Sequence, residues 1–105
     1  MKYEQEIQQA VRCLKALSHP TRLGILYLLR DGEKTVCELQ HALGGTQSNM
    51  SQHLSIMRER DVLCTRKEAN LVYYGIKNQE VFELLDVFQR VFCKNHSLSF
   101  DDDEM

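Results

Sequence analysis

The sequence predicts a mainly α-helical fold with one small β-hairpin, in the order α-α-α-α-β-β-α, and three observations carry that reading. Thr35 to Arg58, TVCELQHALGGTQSNMSQHLSIMR, holds two short helical patterns parted by a Gly-Gly pair. Two runs rich in β-branched and aromatic residues follow, joined by two turn residues. Apolar positions at helical spacing flank this centre on both sides. Two helices joined by a glycine turn, with a hairpin behind them, make a winged helix-turn-helix.

The opening helix is expected over about Tyr3 to Leu17, with Ile7, Ala10, Val11, Leu14 and Leu17 on its buried side. Ser18-His19-Pro20 breaks it and starts the next helix, since proline is tolerated in a first turn. There Leu23, Ile25, Leu26, Leu28 and Leu29 are apolar nearly all round, as befits a central core helix, and Asp31-Gly32 stops it. Thr35 with Glu38 three residues later is a capping box, so the third helix begins at Val36 and places Val36, Leu39 and Leu43 on one face. Gly44-Gly45 ends it, and Thr46 caps a fourth helix whose apolar stripe is Met50, Leu54 and Met57. Val62–Glu68 and Leu71–Ile76 are the hairpin strands. Ala69-Asn70 is their turn, with Asn able to take the left-handed conformation. Tyr73 and Tyr74 alternate, one towards the core and one on the wing surface. Asn78 caps a last helix over about Gln79 to Lys94, with Phe82, Leu85, Phe88 and Phe92 on one stripe and Leu84, Val87 and Val91 widening it.

That last helix carries more apolar surface than one small domain can cover. A homodimer joined by the first and last helices is therefore expected, through Leu14, Leu85, Phe88 and Phe92 among others. Residues 1–100 are read as one DNA-binding and dimerisation domain, and 101–105 as an acidic, disordered tail. The chain has 105 residues, 43% hydrophobic and 27% charged, the balance of an ordinary soluble globular protein. No apolar run approaches the roughly 20 residues that cross a bilayer, and the polar start MKYEQEIQQA lacks a secretory core. A cytoplasmic protein without membrane contact is expected, its four cysteines kept reduced.

The net charge of −2 is unhelpful for a DNA binder until its placement is considered. Asp101, Asp102, Asp103 and Glu104 hold the excess negative charge, and without them the balance turns positive. Arg58, Arg60, Arg66, Lys67 and Lys77 cluster from the end of the fourth helix onward. At the start of that helix stand Gln47, Ser48, Asn49, Ser51, Gln52 and His53. Short, uncharged, hydrogen-bonding side chains suit a helix whose N-terminal end meets base edges in a major groove. A solvated helix would carry Glu and Lys there. Arg58, with Arg66 and Lys67 on the wing, would contact phosphate or the minor groove of a palindromic operator.

LKALSHPTRLGIL, TVCELQHAL, SNMSQHLSIMR and RKEANLVYYGI together resemble the ArsR/SmtB family of small dimeric bacterial repressors, over about residues 7–93. The pairing of Ser51-Gln52-His53-Leu54 with His19-Pro20-Thr21-Arg22 is its most specific part. The resemblance implies a dimer that occludes a promoter and leaves it when an inducer binds. Arsenic-sensing members carry Cys-x-Cys where this chain has Thr35-Val36-Cys37. Zinc-sensing members carry carboxylate and histidine ligands along the last helix, where this chain lacks the histidines. Persulfide- and redox-responsive members carry a cysteine in the second helix, here Tyr27, and one at the end of the last helix, matched by Cys93.

Cys93 is thus the leading sensor thiol, with Cys13 as partner because the opening helix should pack towards the last. The alternative is a thiophilic metal or metalloid held by Cys93 with Cys13, His96 or Cys37, Cys93 and His96 sharing a face of a continuing helix. No resident cofactor is required. Structural roles stand beside these: Cys64 as buried filler on the first strand, Cys37 as packing near a helix start, His19 as a helix starter, His41 as a solvated residue. His53 is either a DNA contact or packs on the wing. Catalysis is excluded, because the chain has no nucleophile elbow, zinc-protease motif or phosphate-binding glycine loop. A winged helix used only for protein contact is the remaining rival, though it should show apolar anchors at the fourth helix.

Overall fold

A computed structural model of the chain describes residues 2–93. The helices are α1 (Glu4–Leu17), α2 (Pro20–Leu29), α3 (Val36–Leu43), α4 (Gln47–Glu59) and α5 (Glu80–Phe88), with strands β1 (Leu63–Glu68) and β2 (Leu71–Ile76) between α4 and α5. The last helix starts at Glu80 and changes at Gln89–Cys93 to a π-helical turn. The acidic tail and His96 lie outside the described residues, as does the continuing helix expected to join Cys93 to His96.

Local chemistry sets the helix starts. The Nδ1 of His19 accepts from the backbone N–H of Thr21, with Pro20 in the first turn of α2. Thr35 and Glu38 close the capping box on α3, and Thr46 accepts from the N–H of Asn49 at the start of α4. Capping of this kind contributes about 0.5–2 kcal/mol per helix. Between α3 and α4, Gly44 and Gly45 stand at φ +87° and +80°, a left-handed pair that side-chain-bearing residues rarely adopt. The side-chain amide of Gln40 donates to the Gly45 carbonyl at 2.8 Å, which fixes the turn.

One core joins the elements: Ile25, Leu26 and Leu29 of α2, Leu39 of α3, Met50, Leu54 and Met57 of α4, Leu63 of β1 and Leu85 of α5. Each such side chain stabilises the fold by about 1.5–3 kcal/mol on leaving water. The inner stripe expected for α4 is the one observed. The strands pair antiparallel from Leu63 opposite Ile76 to Glu68 opposite Leu71. Lys34 bridges Tyr74 through both backbone groups, at 3.1 and 2.8 Å, so the hairpin is tied to the segment before α3. Tyr74 packs on the core and Tyr73 lies along Arg66, the alternation expected.

Four expectations need correction. On α1, Ile7, Val11 and Leu14 are 44%, 42% and 53% exposed and Ala10 is exposed too; only Ala16 is buried. The helix packs on α2 and α4 along a narrow edge and leaves its apolar stripe in solvent. In the hairpin turn Ala69, at φ +57°, takes the left-handed position rather than Asn70, the pattern of a turn with positive φ at its first central residue only. Cys64 is exposed, because Leu63 takes the inward position and its neighbour must point the other way. Leu85 is 1% exposed in its own domain's core, so it cannot belong to an interface between copies.

Candidate nucleic-acid interface

The seat of α4 follows from its sequence. Met50, Leu54 and Met57 hold one face down on the core, so the positions between them must face out. Gln47, Ser48, Asn49, Ser51 and Gln52 are all exposed, with no acidic residue in the first turn. The unpaired N–H groups and dipole of that helix end favour negative charge nearby. Arg58 is exposed at the other end, beside Ser55 and Glu59. The structure thus brings five of the six polar positions to one open surface.

His53 is different. It is half-buried, its Nδ1 accepts from Arg22 Nε at 3.1 Å, and its ring centre lies 4.5 Å from that of His19. These contacts seat it on the start of α2. Burial, then His19 and Arg22, lower its pKa below the ordinary histidine range. Arg22 also donates to the Ala16 carbonyl at 3.1 Å. These roles for His19 and Arg22 were missed in the sequence, where only the motif itself signalled them.

The two wing cations are unalike. Arg66 donates to Glu33 at 2.9 Å and to Glu68 at 2.6 Å, and its guanidinium lies 4.8 Å from the Tyr73 ring centre. Hydrogen bonds to Glu33 and then Glu68 push its pKa up further still. Lys67 follows it on the strand, on the opposite face, and is exposed. A phosphate approaching Arg66 must compete with two carboxylates, whereas Lys67 has no such partner among the described contacts. Glu33 lies outside the predicted site and gave no local signal.

Among the described residues, the three thiols whose side chains are placed stand apart on three elements. Cys13 is exposed on α1, Cys37 in the first turn of α3 and Cys64 on β1. Cys37 and Cys64 are therefore not the packed fillers expected. Among the described residues no three His, Cys, Asp or Glu side chains are grouped to hold a metal ion. The Cys93 side chain and His96 lie outside the described residues. Tyr27 on α2 donates from its hydroxyl to the Leu85 carbonyl at 3.3 Å, and Arg30 pairs with Asp86 at 2.7 Å. Both tie α2 to α5. No helix among the described residues is long and apolar enough to cross a membrane.

Residues 19–63, from the start of α2 to the start of the wing, match the family described as bacterial regulatory protein, arsR family. The transcriptional activator HlyU of Vibrio cholerae is 38% identical over 91 residues, 87% of this chain and 84% of its own. Its structure in the reduced form superposes with a TM-score of 0.78 over 88% of this chain and 97% of that one. The biofilm growth-associated repressor of Xylella fastidiosa is 31% identical over 90 residues, 86% of this chain and 79% of its own. The homodimeric winged helix-turn-helix domain of Mb0332 from Mycobacterium bovis is 28% identical, with a TM-score of 0.79 over 92% of this chain and 93% of that one.

Proposed function

This chain belongs to the arsR family of bacterial regulatory proteins, DNA-binding transcriptional regulators and not enzymes, and on that footing we propose that it is a repressor that binds a palindromic operator as a homodimer. The observation that carries the reading is the open, uncharged, hydrogen-bonding face at the start of α4, held at a fixed tilt by the core. Gln47, Ser48, Asn49, Ser51 and Gln52 meet base edges, and two such helices enter successive major grooves about 34 Å apart. His53 stands at the edge of this set. Residues 1–100 serve as one unit that both pairs and reads DNA. A dimer seated across two grooves excludes other proteins from the same DNA, which is repression.

Arg58 and Lys67 supply phosphate contact, with Arg66 weakened in that task by Glu33 and Glu68. Competition binding with the protein's own upstream DNA and with random duplex is the test. Tighter binding to the upstream DNA supports an operator, while equal affinity at physiological salt favours the protein-contact rival. Lys67→Ala should weaken binding to every duplex and lower the salt slope by about one. Arg66→Ala should do so less, and an equal effect of the two would remove the distinction drawn between them.

Release is proposed to act through thiols, with Cys93 as sensor and Cys13 as its partner. The reduced form described for the Vibrio relative supports this, as does the exposure of Cys13 on α1. A persulfide or another two-electron oxidant takes the electron pair as both thiols lose their protons and join. A hundredfold loss of affinity needs a coupling of about 2.7 kcal/mol, within the usual range. Cys93→Ser should keep operator binding and lose its response to a persulfide donor. Loss of response to zinc or arsenite alone would point to the metal-binding set with Cys13, His96 or Cys37, and an unchanged response to every agent would end both models.

A further inference from the structure

Two motifs far apart in sequence meet in one cluster that DNA contact does not explain. Arg22 reaches in two directions: one Nη donates to the Ala16 carbonyl in the last turn of α1, and Nε donates to Nδ1 of His53 on α4, each at 3.1 Å. One guanidinium therefore spans three helices. His53 also lies against the ring of His19, which is itself occupied in capping α2. Building on the operator reading above, we propose that Arg22 and His53 are positioning residues that lock the recognition helix to the junction of α1 and α2, and that the lock holds only while His53 is neutral.

The chemistry of the ring sets that condition. A neutral imidazole that accepts at Nδ1 carries its one proton on Nε2. A protonated ring has no lone pair left for Arg22 and sets a positive charge against the guanidinium. Among the described residues the charged groups acting on it are His19 and Arg22 from α2, both cationic or able to become so, with no carboxylate beside them. Burial, His19 and Arg22 all favour the neutral form, in that order. A histidine shifted downward contributes its full stabilisation above the unfolded value, about pH 6.5, and loses it as the pH falls through the lowered pKa.

The placement gives the lock its use. Ala16 lies on the helix whose Ile7, Val11 and Leu14 stand uncovered, and His53 lies between the groove-facing residues and Leu54 of the core. A tilt of α1 is thus passed to the base-reading end of α4 through the Arg22 side chain as well as through the narrow edge where α1 packs on α4. A base-contacting residue would act at one operator position; a positioning residue acts on all of them.

The test pairs DNA competition with nitrogen-15 NMR of the histidine rings in the free protein. For wild type, the ratio of operator to random-duplex affinity should fall about fivefold between about pH 7.5 and the acid pH at which the NMR spectrum shows the His53 ring protonated, the scale of one hydrogen bond. His53→Asn, whose Oδ1 stands where Nδ1 stood, should give a ratio that does not change with pH. His53→Leu and Arg22→Lys should give a low ratio at both. The ring of His53 should be the Nε2–H tautomer and titrate below the ordinary histidine range. An Nδ1–H tautomer, or an ordinary titration, would overturn the proposal. So would a His53→Asn protein whose preference changes at a single base pair while its pH response persists. A wild type that never distinguishes operator from random DNA would instead remove the operator reading, and the ring measurements would still decide whether the lock exists.

Discussion

A chain carrying Leu14→Asp with Val87→Asp is expected to fold, to sediment as a monomer and to bind its operator at least about a hundredfold more weakly than wild type. Leu14 is 53% and Val87 41% exposed in the single chain, so both new carboxylates stay hydrated there and the core is untouched. In a pair joined through α1 and α5 they would be taken out of water, which costs several kcal/mol. Losing the second reading helix removes the gain from binding two half-sites at once, commonly 10²–10⁴ in affinity. Sedimentation and competition binding read the two effects separately. An intact dimer would move the interface away from Ile7, Val11 and Leu14 on α1, from Leu84 and Val87 on α5 and from Val91 in the π-helical turn after it.

Leu54→Ala should have the largest effect on stability. The side chain is fully buried, on the inner stripe of α4 between Met50 and Met57. Truncating a buried leucine costs about 2–5 kcal/mol through lost transfer and the cavity left behind. In a domain whose whole stability is roughly 5–15 kcal/mol, that is a large share. Each kcal/mol lowers the melting point of a chain this size by about 4–8 °C. Calorimetry should show the drop, whereas the neighbouring Gln52→Ala, on the exposed face, should melt like wild type. Equal melting of Leu54→Ala and wild type would mean that α4 does not rest on the core through this stripe.

Local signals were legible and long-range ones were not. The capping box of Thr35 and Glu38 lies within one helical turn, and the two-glycine turn needs no partner elsewhere, so both could be read directly. The stripe Met50, Leu54 and Met57 fixed the outward face of α4 by periodicity alone. Glu33 stands 33 residues from Arg66 and Arg22 stands 31 from His53, and nothing in spacing brings either pair together. Periodicity also showed that α1 has an apolar face without saying what covers it, so positions that stand exposed in the single chain were placed on its buried side. Cys64 failed for a related reason: alternation is plain in a strand, but its phase depends on which neighbour, here Leu63, the core takes.

The wing has an uneven build, and that shapes what it can do. Its root is closed by the Lys34–Tyr74 bridge and by the Lys77 N–H on the Val62 carbonyl. Its tip turns through Ala69 in a left-handed conformation, a placement that costs a residue with a Cβ about 1–2 kcal/mol. Leu71 beyond it is half exposed. Opening therefore begins at the tip and stops at the root. The hairpin behaves as a cantilever, clamped where it joins the core and compliant where Lys67 would meet a phosphate. Such a beam can follow local differences in groove width from one operator to another without passing the load to the helices that read the bases.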